Sequence, residues 1–282
     1  MDLLLKGAPV SKAIDENTAK LAAQLTADGN PPALALMGAG LGADDKAYAS
    51  SILKKAQKLG IAVTEHYFDQ NVGLLDFLDA LQELNGDPAV HGILIFRPLP
   101  PQLDDEIIRA ALAFEKDVDG ITDASLAGVF TGDHKGYAPC TAQAVMEILH
   151  SYQIPIAGKK VAVVGRSLTV GKPLAMLLTG ENATVTLCHS RTADLPAACR
   201  EAEILVAAAG KPALIGAEHV AEGQTVLDVG IHALPDGSLT GDVDFPAVSP
   251  IVSAITPVPG GVGGVTTSVL LSHVVQAAVN QL

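Results

Sequence analysis

A buried strand that runs straight into a glycine turn and then a helix sets the tightest limit on this fold: VAVVGRSLTVGKP at 161–173. Residues 161–164 are apolar, Gly165 ends the run, a polar turn leads to Gly171, and Pro173 opens PLAMLLTG. Glycine at the strand's end and proline near the helix start suit a tight strand-to-helix connection in a parallel sheet. Free N–H groups at such a helix start favour an anion, which makes the turn a candidate site for a dinucleotide pyrophosphate. The spacing is G-x-S-x-x-x-G-x-P, not G-x-G-x-x-G, and a glycine turn that serves packing alone would read the same.

Apolar runs and helical patterns alternate on both sides of this turn. Upstream, the patterns predict a helix over 11–29 capped by Ser11, a strand over 31–40, a helix over 44–59 between Asp44 and Gly60, a strand over 61–68, a helix over 74–84 and a strand over 91–96. Downstream they predict a helix over 141–150, strands over 159–165, 183–189, 203–210 and 225–231, helices over 173–180 and near 194–202, and a final helix over 266–282. This β-α-β alternation implies parallel sheets with helices on their faces. The expected fold is α/β in two domains, 1–139 and 140–265, the second Rossmann-type, with a cleft between them and the last helix returning to the first. At 282 residues and 49% hydrophobic the chain can fill two cores; with 4% aromatics, Ala, Val, Leu and Ile must do the packing.

A net charge of −13 with only 18 Lys and Arg argues against nucleic acid, which needs clustered cations. It leaves room for an anionic cofactor held by a few cations and backbone N–H groups. Cys140, Cys188 and Cys199 have no metal-ligand spacing and fit a reducing compartment. The start, MDLLLKGAPV, has no basic region before an apolar one, and no run approaches 18 uninterrupted apolar residues. The chain therefore reads as soluble and cytoplasmic, with no metal and no membrane partner.

Three further segments can carry chemistry. An NAD site often places an acid about 20 residues beyond the glycines. Here that stretch reads His189-Ser190-Arg191-Thr192, with no acid before Asp194. Arg191 and Arg166 could face a ribose 2′-phosphate and Ser190 donate to it, though two solvated surface arginines would look alike. ITPVPGGVGGVTT (255–267) is a backbone-dominated loop that a flat ligand can approach closely, or simply a structural turn. KDVDGI (116–121) sets Asp117 and Asp119 in one loop; a loop carboxylate can read the N–H edge of a pterin-like ring, or merely shape the turn.

Taken in order, these segments resemble the bifunctional methylenetetrahydrofolate dehydrogenase/cyclohydrolase family over nearly the whole chain. The likeness rests on LKGAPVS at the start, Tyr48 with Gly60-Ile61, GILI-x-x-PLP at 92–100, KDVDG at 116–120, APCTA at 138–142, VVGRS-x-x-VG-x-P at 163–173, ATVTLCHS at 183–190, DVGI at 228–231, GDVDF at 241–245 and ITPVPGGVG at 255–263. It implies an NADP-linked enzyme of one-carbon metabolism acting on tetrahydrofolate derivatives, as a homodimer, with folate between a catalytic domain and an NADP domain. Tyr48 would border the folate rings and Asp119 bind the pterin edge. Gly165, Arg166, Ser167 and Ser190 would hold NADP, Ile231 would lie beside the nicotinamide ribose, and Pro259, Gly260 and Gly261 would line the folate side.

Two departures from the family pattern are chemical. The family's lysine, four residues after this tyrosine, is Ile52 here, and the glutamine two residues before PLP is Phe96, followed by Arg97. Water addition to a methenyl carbon needs proton transfer, where a positioned acid or base contributes roughly 10²–10⁴-fold; hydride transfer depends chiefly on positioning. The expected activity is NADP-dependent oxidation of 5,10-methylenetetrahydrofolate with weak or absent cyclohydrolase. The alternatives are a fully bifunctional enzyme using Lys55 or Arg97, and a folate- or nucleotide-binding protein that catalyses neither step.

Overall fold

The computed structural model describes residues 3–133 and 135–282. In chain order the elements are β1 (Leu3–Leu4), α1 (Gly7–Ala27), β2 (Ala33–Ala39), α2 (Ala43–Leu59), β3 (Ala62–Phe68), α3 (Leu74–Gly86), β4 (Gly92–Ile95), α4 (Asp105–Ala111), α5 (Asp123–Thr131), α6 (Cys140–Ser151), β5 (Lys160–Val164), α7 (Gly171–Gly180), β6 (Thr184–Cys188), α8 (Leu195–Arg200), β7 (Ile204–Ala207), β8 (Thr225–Asp228), β9 (His232–Ala233), β10 (Leu239–Thr240), α9 (Phe245–Val248), β11 (Ala254–Ile255) and α10 (Val262–Asn280).

They form two α/β units. One comprises Ala13–Gly128, Asp133–Ala138 and Thr267–Leu282 and carries a parallel sheet in the order β3-β2-β4. In β2 every residue after Ala33 is buried, as is all of β4, which explains their unbroken apolar sequence: helices cover both faces of a parallel sheet. Met37, Ile93 and Ile95 pack with Phe77 and Leu81 of α3 and Ile108 of α4 in one core.

The other unit comprises the residues up to Lys12, Val129–Gly132 and Pro139–Thr266. Its six-stranded sheet has the order β1-β11-β8-β7-β5-β6, with every pair parallel. The chain goes from β5 outward to β6, then crosses to the other side of β5 to make β7. The carboxyl ends of β5 and β7 therefore flank a topological switch point, where open α/β sheets receive ligands.

Several sequence expectations need correction: the strand expected over 203–210 ends at Ala207 and the last helix, expected from 266, begins at Val262. Residues 3–12, grouped there with the first domain, belong to the six-stranded unit: Leu3 and Leu4 pair with Ala254 and Ile255, and Tyr152 donates its hydroxyl to the Lys6 carbonyl at 2.9 Å. A two-residue strand has too little length to show a period. Ser11 does not cap α1, which starts at Gly7 with Pro9 in its first turn; the Ser11 hydroxyl is buried with no hydrogen-bond partner. The strand expected over 225–231 stops at Asp228: Val229 N still donates to the Ala207 carbonyl, but Gly230 N turns back to the Asp228 side chain at 3.0 Å.

Among the described residues α10 alone is long and apolar enough to cross a membrane. Most of it is buried in the protein, including Val265, Leu270, Leu271 and Val274, so it serves as a core helix.

Candidate functional site

Gly165 ends β5 at φ 130°, where its N–H donates to the Cys188 carbonyl at 2.9 Å. That bond lays the turn against the end of β6 and the His189–Arg191 segment. A Cβ at Gly165 would collide with the Ala208 carbonyl in the loop after β7, and one at Gly171 with the Gly165 carbonyl. Only glycine closes this turn, leaving a bare backbone cradle at the switch point and at the N-terminus of α7. Such a cradle fits a pyrophosphate.

Arg166 and Ser167 are exposed on the turn. The Ser167 hydroxyl accepts from Val170 N at 3.1 Å and Gly171 N at 3.5 Å, so it caps α7 on the face expected to meet phosphate. Ser190 and Arg191 are also exposed, in a turn closed by His189 N donating to Thr192 Oγ1 at 2.9 Å. Asp194, the first acid beyond the turn, accepts from Ala197 N at 2.9 Å and caps α8. Its carboxylate is committed to a helix start.

Ile231 is 56% exposed, and its Cδ1 lies 2.8 Å from where a Cβ on Gly263 would stand, which brings Ile231 against the first turn of α10, directly after the VPGG loop. Gly260 in that loop has φ 101° and accepts at its carbonyl from Gly7 N at 2.8 Å. The N-terminal LKGAP segment thus braces the VPGG loop, a contact between residues more than two hundred positions apart. Pro259 is exposed and Gly261 buried.

Tyr48, Ile52, Phe96 and Asp119 all lie in the three-stranded unit. Tyr48 and Ile52 stand four residues apart in α2 and share a face; Tyr48 is half-buried and Ile52 fully buried. The Phe96 ring meets Tyr48 edge-on at 6.1 Å between centroids, and Tyr67 likewise at 6.1 Å. β3 carries no motif, so nothing in the sequence marks Tyr67. Burial, with Glu65 adding to it, holds the Tyr67 phenol well above its ordinary range, so it is a neutral hydroxyl near pH 7.

The two alternative cations are engaged with carboxylates. Lys55 Nζ donates to Ser268 Oγ at 2.6 Å and pairs with Asp15 Oδ2 at 3.1 Å. Arg97 grips Asp105 with both sides of its fork, Nε–Oδ1 at 2.6 Å and Nη2–Oδ2 at 2.7 Å. In the KDVDG loop the two carboxylates separate in role. Asp117 is fully buried and accepts from Ile121 N at 2.9 Å and Thr122 N at 2.7 Å, while Asp119 is half-buried on the loop that Asp117 shapes. His273 Nδ1, 2.9 Å from the Val118 carbonyl, pins the same loop to α10. Among the described residues no cluster of three His, Cys, Asp or Glu is placed to hold a metal ion.

Family models match both halves of the chain. Residues 5–119 match the tetrahydrofolate dehydrogenase/cyclohydrolase catalytic domain, and residues 139–282 match the NAD(P)-binding domain of the same family. The chain belongs to the tetrahydrofolate dehydrogenase/cyclohydrolase family. It is 46% identical over 281 residues to the bifunctional protein FolD 1 of Desulfitobacterium hafniense, covering 100% of both chains. Among solved structures it superposes on the bifunctional FolD dehydrogenase/cyclohydrolase of Campylobacter jejuni with a TM-score of 0.97 at 36% identity, covering 100% of both chains. The FolD of Trypanosoma brucei, solved with NADP cofactor and an inhibitor, gives 0.94 at 34% identity, covering 99% of this chain and 98% of that one. As a member of this enzyme family the chain carries its NAD(P)-binding domain on the six-stranded sheet, where the Gly165 cradle lies.

Proposed function

We propose that this chain is an NADP-dependent dehydrogenase of 5,10-methylenetetrahydrofolate whose cyclohydrolase activity is weak or absent. Bound NADP would accept the hydride from the methylene carbon; the residues of the chain bind, orient and keep water away. Gly165, Arg166, Ser167 and Ser190 would hold the cofactor, Arg191 would add a cation at the ribose phosphate, and Ile231 would pack beside the nicotinamide ribose. Preference for NADP is supported by the exposed Arg166 and Arg191 and by the engagement of Asp194 as a helix cap, which takes away the nearest acid for a ribose 2′-hydroxyl. Tyr48, Asp119, Pro259, Gly260 and Gly261 would contact the folate.

One observation supports the second half of the reading: the Tyr48 face of α2 presents Ile52, at the position where the resemblance implies lysine, next to the rings of Phe96 and Tyr67. Isoleucine and phenylalanine exchange no proton, and burial with the Glu65 contact raises the Tyr67 phenol above its ordinary range, away from proton loss near pH 7. Lys55 and Arg97 are each held by a carboxylate, which speaks against either as a stand-in. Oxidation, by contrast, needs positioning more than acid–base help.

The test measures both half-reactions on one preparation. Wild type should reduce NADP with methylenetetrahydrofolate, while decay of methenyltetrahydrofolate stays near the buffer rate. The double reversion Ile52→Lys with Phe96→Gln should raise that decay clearly. Wild-type hydrolysis well above the buffer rate would overturn the proposal.

A further inference from the structure

Two buried carboxylates at the carboxyl edge of the six-stranded sheet have no part in the reading above. Asp228 closes β8, and Asp242 follows β10. Both are buried, Asp242 completely. Asp242 Oδ2 accepts from Ala209 N at 2.5 Å and Gly210 N at 2.9 Å, and Oδ1 accepts from Lys211 N at 2.9 Å. These three amides form the loop after β7. The same Oδ1 lies 2.7 Å from His232 Nε2, at the start of the strand after the β8 loop. A carboxylate oxygen accepts, and the His232 ring nitrogen donates to it in the tautomer that carries the proton there.

Asp228 secures Asp242 in turn. Its Oδ1 accepts from Asp242 N at 2.9 Å and Gly230 N at 3.0 Å, and its Oδ2 from Val243 N at 3.0 Å. A Cβ on Gly241 would collide with the Asp228 carboxylate, so the backbone comes as close as it can only because residue 241 is glycine. The two loops that Asp242 joins bear directly on the cofactor crevice. The loop after β7 forms one wall of the switch point, with Ala208 against Gly165, and the loop after β8 carries Ile231 beside His232.

We infer that Asp242, with His232 as its link across, is a positioning residue of the cofactor crevice: it fixes the loop after β7 to the loop after β8 and so sets where the nicotinamide half of NADP rests. The inference rests on the NADP reading. A carboxylate that served stability alone would need the three backbone donors only. The fourth bond crosses to the loop that carries Ile231, where a change alters the separation of the two walls. A bond to a charged acceptor contributes about 1.5–3 kcal/mol, so its loss in a preformed site corresponds to roughly ten- to hundredfold.

Two variants and two readouts test this. His232→Leu leaves the three backbone bonds of Asp242 in place and cuts the link; Asp242→Asn disturbs both. Calorimetric titration with NADP should give a dissociation constant raised roughly tenfold in His232→Leu. In the ligand-free protein, amide hydrogen exchange at Ala209–Lys211 should quicken in Asp242→Asn while the amides of β5 and β7 keep their protection. If Asp242→Asn fails to fold, His232→Leu decides alone. Variants that bind NADP as wild type does, or exchange that quickens evenly across the sheet, overturn the inference while the cofactor reading stands. A wild type that does not bind NADP overturns both.

Discussion

At the scale of single residues, the reach of each charged group decides what it can do. The Lys55 ammonium sits between Asp15 and the buried hydroxyl of Ser268, so its charge is already engaged by neighbours. Lys55→Met should therefore leave methenyltetrahydrofolate decay unchanged. It should lower stability by about 1–3 kcal/mol, because the Ser268 hydroxyl loses its partner in a dry place. Denaturant unfolding beside the hydrolysis assay checks both halves, and a variant that loses hydrolysis would restore Lys55 as a catalyst. Asp119 makes the complementary case. Asp119→Ala should weaken binding of methylenetetrahydrofolate roughly ten- to hundredfold, since a charge-assisted bond contributes about 1.5–3 kcal/mol. Equal titration curves for variant and wild type would remove Asp119 from the folate site.

At the scale of elements, the loops after β7 and β8 carry an electrostatic load. Burial pushes the Asp228 carboxyl from its ordinary 3.8 up to about 6, and neighbouring Asp242 adds to the rise, while the amides of Val243, Asp242 and Gly230 oppose it. The folded protein thus holds this proton more tightly than the unfolded chain does. The group's contribution to stability is fully present below about pH 4, declines as pH rises through the window up to about 6, and is level above that. Carbon NMR of labelled aspartate carboxyls should show one buried resonance titrating near 6, and a midpoint near 4 would refute the assignment. Little of this was legible beforehand. The β5 turn and the runs that became β2 and β4 were plain, because a fully buried parallel strand is an unbroken apolar run. The GDVDF segment stood out only as a family match, since the amides that Asp242 serves lie some thirty residues earlier in the chain. Arg97 with Asp105 and Lys55 with Ser268 were invisible for the same reason: their pairing depends on how separate elements pack. The two-residue strands β1, β9, β10 and β11 were too short to show a period at all.

At the scale of the whole molecule, neither unit is a continuous stretch of chain. Helix α10 contributes Leu270, Leu271, Val274, Val275, Ala277 and Ala278, all nearly or wholly buried. Burying each larger apolar side chain gains about 1.5–3 kcal/mol, and a domain's net stability is about 5–15 kcal/mol. A chain cut after Thr266 should therefore lose the cooperative unfolding of the three-stranded unit, seen in near-ultraviolet dichroism as the tyrosine signal collapses. Retention of that transition would mean α10 contributes less than its burial indicates. The pairing of β1 with β11 has a consequence in time. During synthesis β1 leaves the ribosome first, and its partner follows some 250 residues later. At roughly 5–20 residues per second the N-terminal strand waits about ten to fifty seconds for a neighbour. Between the emergence of β8 and that of β11, β8 is the bare edge of an unfinished sheet, open to any strand that reaches it, so the nascent chain is most exposed to mispairing in that interval.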